Sequence, residues 1–146
     1  MKRRPADPAR VCAVALEWSG TPYQPQASLK GIGCDCLGLA RGIWRDLKGP
    51  EPISPPPYSR DWGEIGARET FAQSIRPFMI EIDVADAGPG ALILFRMRRA
   101  APAKHCGIVL PQNRFIHAYE RGGVVLMPFD RAWRRRAVFA FLYPQV

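Results

Sequence analysis

The chain lacks long apolar segments, and this absence excludes two classes of protein. Its apolar runs all stop well short of the roughly 18 residues that a membrane-spanning helix requires, so we expect no membrane insertion. The basic start at residues 1–5 is not followed by a continuous apolar stretch, so we expect no secretory signal peptide. The 146 residues contain no internal repeat and are enough for one hydrophobic core. We therefore predict a single domain over residues 1–146.

Cysteine and histidine are scarce, with four cysteines and two histidines in the chain. So few cysteines in a chain of this length do not form a disulfide framework. Cys34 and Cys36 are separated by one residue, whereas cysteine ligands of structural zinc are separated by about two to four. His105 and Cys106 are adjacent and would point in opposite directions along a strand. We expect no metal and no cofactor, and we interpret Cys12, Cys34 and Cys106 as reduced, buried thiols.

The sequence around Cys36 predicts a cysteine at the first position of a helix. A turn at Gly31–Gly33 precedes Asp35, a residue type that caps helices by accepting a backbone N–H. Apolar residues then recur at helical spacing, and the run ends at Gly49-Pro50. The partial positive charge at the start of a helix favours a thiolate, which is the reactive form of cysteine. Gly38 is expected to leave the first turn open to a substrate.

Both histidines lie on predicted neighbouring strands. The segments 105–110 and 114–120 flank a Pro-Gln-Asn turn, which is typical of an antiparallel hairpin. A hairpin centred on Gln112 pairs Gly107 with His117, so that His105 and His117 become diagonal neighbours about 7–8 Å apart at Cα. One imidazole can then take the proton of a thiol while the other holds it in place. A slip of one residue in the register would separate the two rings.

The cysteine and the histidines belong to three short elements that occur in a defined order: Asp-Cys-x-Gly-Leu at 35–39, His-x-Gly-Ile-Val at 105–109 and Ile-His-Ala at 116–118. In this order they resemble the NlpC-type cell-wall peptidases, papain-like cysteine peptidases that cut peptide bonds in bacterial peptidoglycan stems. Two further stretches, Gly-x-x-Tyr at 20–23 and Pro-Gly-Ala-Leu at 89–92, resemble other elements of that family. The resemblance runs from about Arg10 to Phe141.

This resemblance implies roles for five residues. Cys36 would be the nucleophile, His105 the general base and His117 the polar residue that orients the base. Tyr23 would line the pocket beside the thiol, and Asp35 would meet a free amine of the stem peptide. The peptidoglycan stem peptide is the substrate that the resemblance implies.

The chain departs from the family pattern at the rim of the expected pocket. Leu37 follows the cysteine where a small residue is common, and residues 24–30 stand where the family has a glycine pair. Ala91 replaces the usual aspartate. These changes concern the choice of substrate more than the identity of the nucleophile. The short format and the proline-rich segment Pro50–Tyr58 resemble the phage-tail-associated branch of the family.

Basic residues outnumber acidic ones by 21 to 13, which gives a net charge of +8. They cluster near the start, at 96–104 and at 131–136, and we expect most of these arginines in loops. Because no helix-turn-helix, zinc-finger or RNA-binding signature accompanies them, we expect no specific nucleic-acid partner. The clusters are interpreted as a solvated face, a surface for an anionic wall or a docking face for an acidic partner.

The remaining segments predict an α+β fold. Asp7-Pro8 begins a helix whose apolar stripe runs to Trp18, with Gly20 at its end, and a second helix is expected over 61–78 with Ile65 facing inward. Strands are predicted at 91–97, 124–129 and 137–143 in addition to the hairpin. Helices first and strands afterwards favour a minimal papain-like domain, in which the Cys36 helix packs on an antiparallel sheet.

The favoured hypothesis is a cysteine endopeptidase that hydrolyses peptidoglycan stem peptides. Two alternatives stay open: a non-catalytic tail-hub module with the same fold, and a thiol amidase or acyltransferase that acts on another substrate. A protein without a signal peptide is made in the cytoplasm and needs a carrier to reach the wall. We expect incorporation into the tail tip of a phage-like particle, with neighbouring tail proteins as partners.

Overall fold

The structure of the chain is a computed structural model that describes residues 3–52 and 69–145. The helices within these ranges are α1 Pro8–Leu16, α2 Cys36–Lys48, α3 Thr70–Ile75 and α4 Arg131–Arg136, with a 3₁₀ turn at Val84–Asp86. The strands are β1 Ser28–Leu29, β2 Gly33–Cys34, β3 Ile80–Ile82, β4 Leu92–Phe95, β5 His105–Leu110, β6 Arg114–Tyr119, β7 Gly123–Pro128 and β8 Ala137–Leu142.

The centre of the molecule is an antiparallel sheet with the strand order β3-β8-β4-β5-β6-β7. Helices α1 and α2 contact each other, and both pack against β5. β1 and β2 form a separate short hairpin that leads into α2. The predicted α+β class, with the Cys36 helix packed on an antiparallel sheet, is confirmed.

The position of β4 inside the sheet explains why its sequence is apolar without interruption. Side chains alternate between the two faces of a strand, and here both faces are covered. Leu92 and Leu94 pack in the core beneath α1 and α2. Ile93 and Phe95 pack in a second apolar cluster on the opposite face, together with Phe129. All four residues of β4 are buried, as the sequence predicts for a strand covered on both sides.

Helix α1 begins as predicted, because the Asp7 carboxylate accepts a hydrogen bond from the Ala9 amide at 3.2 Å and proline occupies the first helical position. It ends at Leu16, earlier than the expected end at Gly20. Trp18 lies just beyond that end and is buried against α2. Its indole N–H donates to the Asp46 carboxylate at 3.1 Å, which satisfies its polar atom.

One expectation about organisation changes, and another falls mostly outside the described residues. The arginines at 131–136 lie on helix α4 and not in a loop, because the Asp130 carboxylate accepts from the Trp133 amide and caps that helix. Residues 53–58 of the proline-rich segment and residues 61–68 of the expected helix, with Ile65, lie outside the described residues; α3 covers Thr70–Ile75 of that helix. No described helix combines the length and apolar character needed to span a bilayer.

Gly42 generates a stability prediction. Replacing a helical glycine with alanine normally stabilises a helix by up to about 1 kcal/mol. Here a Cβ at residue 42 would lie 2.0 Å from Cζ2 of the buried Trp18 ring. Because the indole is enclosed, we expect Gly42→Ala to reduce the free energy of unfolding by about 1–3 kcal/mol, as overpacked cores do. Denaturant unfolding followed by tryptophan fluorescence measures this change.

The matched control is Gly88→Ala, because a Cβ at residue 88 meets nothing within 4 Å. Its unfolding midpoint should stay close to that of the wild type. A Gly42→Ala protein as stable as the wild type would show that the Trp18 ring does not approach α2 as closely as described.

Candidate active site

The start of α2 is fixed by the carboxylate of Asp35. Oδ1 of Asp35 accepts from the Gly38 amide at 2.7 Å, and this is the predicted helix cap. Oδ2 accepts from the amide of Gln26, also at 2.7 Å, so the same side chain fastens the preceding loop. Asp35 is 5% exposed. Cys36 follows as the first residue of the helix, where the helix dipole favours a negative charge.

Gly38 has a different structural role from the one expected. A Cβ at this residue would lie 1.9 Å from the backbone oxygen of Ala27 and 3.1 Å from Oδ1 of Asp35. The residue is therefore required for close packing of the 26–28 segment on the helix start, and not for the approach of a substrate. Ser28 confirms the tight contact, since its hydroxyl donates to the Gly38 carbonyl at 2.5 Å.

Cys36 carries a thiol with an unusual acidity. Its Sγ lies 3.6 Å from the Lys104 carbonyl at the start of β5. The Cys106 thiol most of all, and then the His105 imidazole, lower the pKa of Cys36 to about 5, against the opposing effect of burial. Above that pH the side chain is a thiolate, the form that acts as a nucleophile. Burial raises the pKa of Cys34 to about 12, so that thiol stays protonated.

The structure confirms that Cys106 is a free, buried thiol and adds a contact that the sequence does not predict. The residue is buried as expected, but its Sγ donates to the Cys36 carbonyl at 3.2 Å. Its hydrogen bond with the Cys36 side chain, followed by burial and the charge of Cys36, holds the pKa of Cys106 well above its usual range. Cys106 is therefore a core thiol that keeps its proton beside Cys36.

The histidines have the geometry that the sequence predicts. In the β5–β6 hairpin Ile108 pairs with Ile116, which is the register of a hairpin centred on Gln112. His105 Nε2 lies 2.7 Å from His117 Nδ1. At this distance the two rings share one hydrogen bond. Gly107, two residues after His105 on β5, leaves room for this contact, because a Cβ there would come within 2.9 Å of the Ile116 oxygen.

The two imidazoles differ in their surroundings, and this separates their roles. His117 is fully buried, and burial, followed by the charge of His105, lowers its pKa to about 3. His117 is consequently neutral near pH 7. His105 lines the cleft and hydrogen-bonds to the Cys36 thiol. Of this pair, only His105 is placed to exchange a proton with Cys36.

An aromatic cluster that the sequence reasoning missed encloses the histidine pair. The ring of Trp133 on α4 lies edge-on to His117, with centroids 5.2 Å apart, and 6.0 Å from His105. Phe115 lies 4.7 Å from the His117 ring on the same side. Trp133 lies in the segment 131–136, in which four of the six residues are arginine. The only sequence signal for a helix in this segment is Asp130, a residue type that caps helices. Its contact with the histidines is a tertiary one that local pattern cannot give.

The thiol opens into a cleft of about 420 Å³. The predicted residues Tyr23, Asp35, Cys36 and His105 line it, whereas His117 lies behind His105. Leu37 also lines the cleft, where the family pattern has a small residue. Further lining residues that the sequence reasoning did not single out are Gln26, Met97, Lys104, Tyr119, Glu120, Trp133 and Arg136.

This arrangement is suited to acyl transfer. A thiolate at a helix start, an imidazole beside it and a second, neutral imidazole behind form the constellation that activates a nucleophile. Backbone N–H groups at the start of α2 can stabilise an oxyanion. The described residues contain no group of three His, Cys, Asp or Glu side chains that could hold a metal ion.

Comparison with known proteins supports the resemblance to NlpC/P60 proteins. A probable endopeptidase of Haemophilus influenzae is 27% identical over 124 residues, which are 83% of this chain and 65% of that protein. The murein DD-endopeptidase/LD-carboxypeptidase MepS of Escherichia coli is 24% identical over 88% of this chain and 58% of its own length. The chain thus spans less than two thirds of these relatives. No family model matches it.

Solved structures confirm the fold class. The NlpC/p60 domain of the peptidoglycan hydrolase SagA superposes with a TM-score of 0.61 and covers 93% of this chain and 98% of that domain. The two sequences are 21% identical. At this level of identity the likeness concerns the fold, and the roles of the cleft residues depend on their own geometry.

The lowered pKa of Cys36 predicts selective alkylation. Because only the thiolate reacts, iodoacetamide should label Cys36 at pH 7 well before the other three cysteines. The rate should fall tenfold per pH unit only below about pH 5, since Cys36 stays ionised down to that pKa. His105→Ala should move this inflection to higher pH, because the imidazole lowers the pKa. Peptide mass mapping after timed labelling measures both effects.

Cys12 and Cys34 serve as internal controls, because burial raises both of their pKa values. Preferential labelling of either residue in the folded protein would contradict the assignment of Cys36 as the reactive thiol. An inflection of the Cys36 rate near pH 8.5, the ordinary value for cysteine, would contradict the described contacts with Cys106 and His105.

Proposed function

We propose that the chain is a cysteine endopeptidase of the NlpC/P60 type that hydrolyses peptide bonds in peptidoglycan stem peptides. The observation that carries this proposal is the thiol of Cys36 beside His105, with His117 Nδ1 2.7 Å behind it, at the wall of one cleft. The names of the relatives support the reaction, since one is a probable endopeptidase and another a murein endopeptidase.

The reaction proceeds in two steps. The Cys36 thiolate attacks the carbonyl carbon of the scissile bond, and the oxyanion is stabilised by N–H groups at the start of α2. The tetrahedral intermediate collapses as the protonated His105 donates its proton to the leaving amine, which gives a thioester. His105 then takes a proton from water, whose oxygen attacks the thioester carbonyl. The acid product leaves, and the thiolate and protonated His105 are restored.

The cleft offers groups of both charges to a stem peptide. Asp35 and Tyr23 lie near the thiol, and we propose that they bind a free amine of the peptide. The Asp35 carboxylate is held in place by the hydrogen bonds that it accepts from the Gln26 and Gly38 amides, and a carboxylate at the wall of the cleft attracts an ammonium group. Lys104 and Arg136 line the same cleft and suit the carboxylates of the peptide.

The residues at the rim separate this chain from the general pattern. Leu37 lines the cleft next to the thiol, and the backbone amide of Gln26 is held there by the Asp35 carboxylate. These residues favour a narrower choice of peptide rather than loss of turnover, because the thiol itself is strongly acidified. Measuring turnover on defined substrates separates the alternatives. A non-catalytic tail-hub module would turn over none of them, and an amidase or acyltransferase would act on a substrate other than the stem peptide.

The catalytic assignment predicts unequal costs for the two histidines. His105→Ala should reduce kcat by about 10³-fold or more, because it removes the proton carrier. His117→Ala should cost about 10–100-fold, and His117→Asn less, since an amide oxygen can also accept from His105. Product masses from purified muropeptides, followed in time, give the rates. Cys12→Ala is the matched control, because that thiol contacts Val109 and not the cleft. Equal rates for His105→Ala and wild type would exclude the mechanism.

We also propose that the protein reaches the wall as a component of a phage-like tail, through a basic docking face on α4. Arg134 is engaged within the fold, where its side chain donates to the Phe129 carbonyl and to Asn113. Arg136 stacks on Trp133 and lines the cleft. Arg131 and Arg135 are exposed on the same helix and therefore form the candidate face.

Charge reversal at this face tests the location separately from the chemistry. Arg131→Glu with Arg135→Glu should weaken co-sedimentation with particles at least tenfold, while the hydrolysis of soluble muropeptides stays within about twofold. Arg10→Glu, an exposed change on α1, is the control with the same type of charge reversal. Native protein that never co-sediments with particles would overturn the tail location and leave the peptidase proposal intact.

A further inference from the structure

Both ring nitrogens of the buried His117 are engaged. Nδ1 faces His105 Nε2 at 2.7 Å, and Nε2 lies 3.0 Å from the thioether sulfur of Met127. Met127 is on β7 and pairs with Phe115 in the β6–β7 ladder, so its sulfur reaches His117 as a diagonal neighbour. Its side chain packs with the apolar cluster on that face of the sheet.

A neutral imidazole carries one proton, and the thioether of Met127 can only accept one, so the contact with Met127 is a hydrogen bond only when the proton is on Nε2. Two tautomers are possible. With the proton on Nδ1, the ring donates to His105. With the proton on Nε2, it accepts from His105 and donates to Met127.

The reaction selects between them. When His105 holds the proton taken from the thiol, both of its nitrogens bear hydrogen. Its Nε2–H then points at His117 Nδ1, where a second N–H would create a clash of two donors 2.7 Å apart. His117 must therefore present a lone pair at Nδ1 and carry its proton on Nε2, which is directed at the sulfur of Met127.

We propose that Met127 is a positioning residue that selects this tautomer of His117. Its thioether is a weak but real acceptor and lies where the Nε2–H points. It is uncharged, so it fixes the ring without drawing the proton away from it. Through His117, it keeps an acceptor ready for the protonated His105. This inference rests on the proposed role of His105 as the proton carrier.

The first test reads the tautomer without any substrate. Two-bond ¹H–¹⁵N correlation on protein labelled in its two histidines distinguishes a protonated from an unprotonated ring nitrogen. We expect wild-type His117 to show a protonated Nε2 and a bare Nδ1. All spectra are recorded in a Cys36→Ala background at alkaline pH, so that no thiolate keeps a proton on His105 and only Met127 can select the tautomer. Met127→Leu keeps the apolar shape but removes the acceptor, and it should move both nitrogens toward the averaged values of mixed tautomers. Met127→Gln supplies an amide oxygen and should restore the wild-type pattern.

The second test reads the rate. Met127→Leu should lower kcat about fivefold to tenfold, the equivalent of one hydrogen bond, with KM unchanged. Met127→Gln should be closer to wild type, although leucine is the better match for packing. A purely structural role of Met127 would give the reverse order, with a higher kcat for Met127→Leu than for Met127→Gln. Met79→Leu is the control, since it makes the same change in the buried core around α3.

Three results separate this inference from the proposed function. A wild-type His117 protonated on Nδ1 would overturn it, and so would Met127→Leu with unchanged nitrogen shifts. If no muropeptide is hydrolysed but the tautomer is Nε2–H and shifts in Met127→Leu, the role of Met127 is supported and the peptidase proposal fails.

Discussion

The carboxylate of Asp35 accepts one backbone N–H from each of two segments, at Gly38 in α2 and at Gln26 in the loop before it. Because the side chain is almost fully buried, both bonds are shielded from water and hold more firmly than surface caps do. This double contact fixes where α2 begins, and hence where Cys36 lies relative to the start of β5. It also brings the 26–28 segment so close that residue 38 has no room for a side chain.

The same arrangement explains why the pKa of one thiol among four is lowered. Cys36 has a helix start beneath it, the Cys106 thiol beside its backbone and the His105 imidazole within hydrogen-bonding reach, and these together outweigh burial. Cys34, two residues earlier, shares the burial but not the partners, and its pKa moves in the opposite direction. The lowered pKa of Cys36 thus results from its position at the junction of α2 and β5.

Local sequence was sufficient for the parts of the site that depend on neighbouring residues. The Asp35 cap and the start of α2 follow from the turn and the helical spacing, and the β5–β6 register follows from the Pro-Gln-Asn turn. The parts that were missed depend on contacts between distant segments. The ring of Trp133 on α4 packs against His117 on β6. The Cys106 thiol on β5 donates to the Cys36 carbonyl on α2, and the sulfur of Met127 on β7 contacts His117 on β6. No spacing within one segment encodes such contacts.

The burial of His117 has a consequence for the direction of proton flow. An orienting group with a pKa near that of His105 would compete for the proton of the thiol, and part of the population would hold it in an unproductive place. Enclosure by Phe115 and Trp133 removes water from the His117 ring and lowers its pKa to about 3, so the charged form is excluded there. In the proposed reaction, the proton that leaves Cys36 therefore stays on His105, next to the cleft where a leaving amine needs it. The aromatic cluster, although it does not act on the reacting atoms, thus decides which of two chemically identical side chains can serve as the acid and base of that proposed reaction.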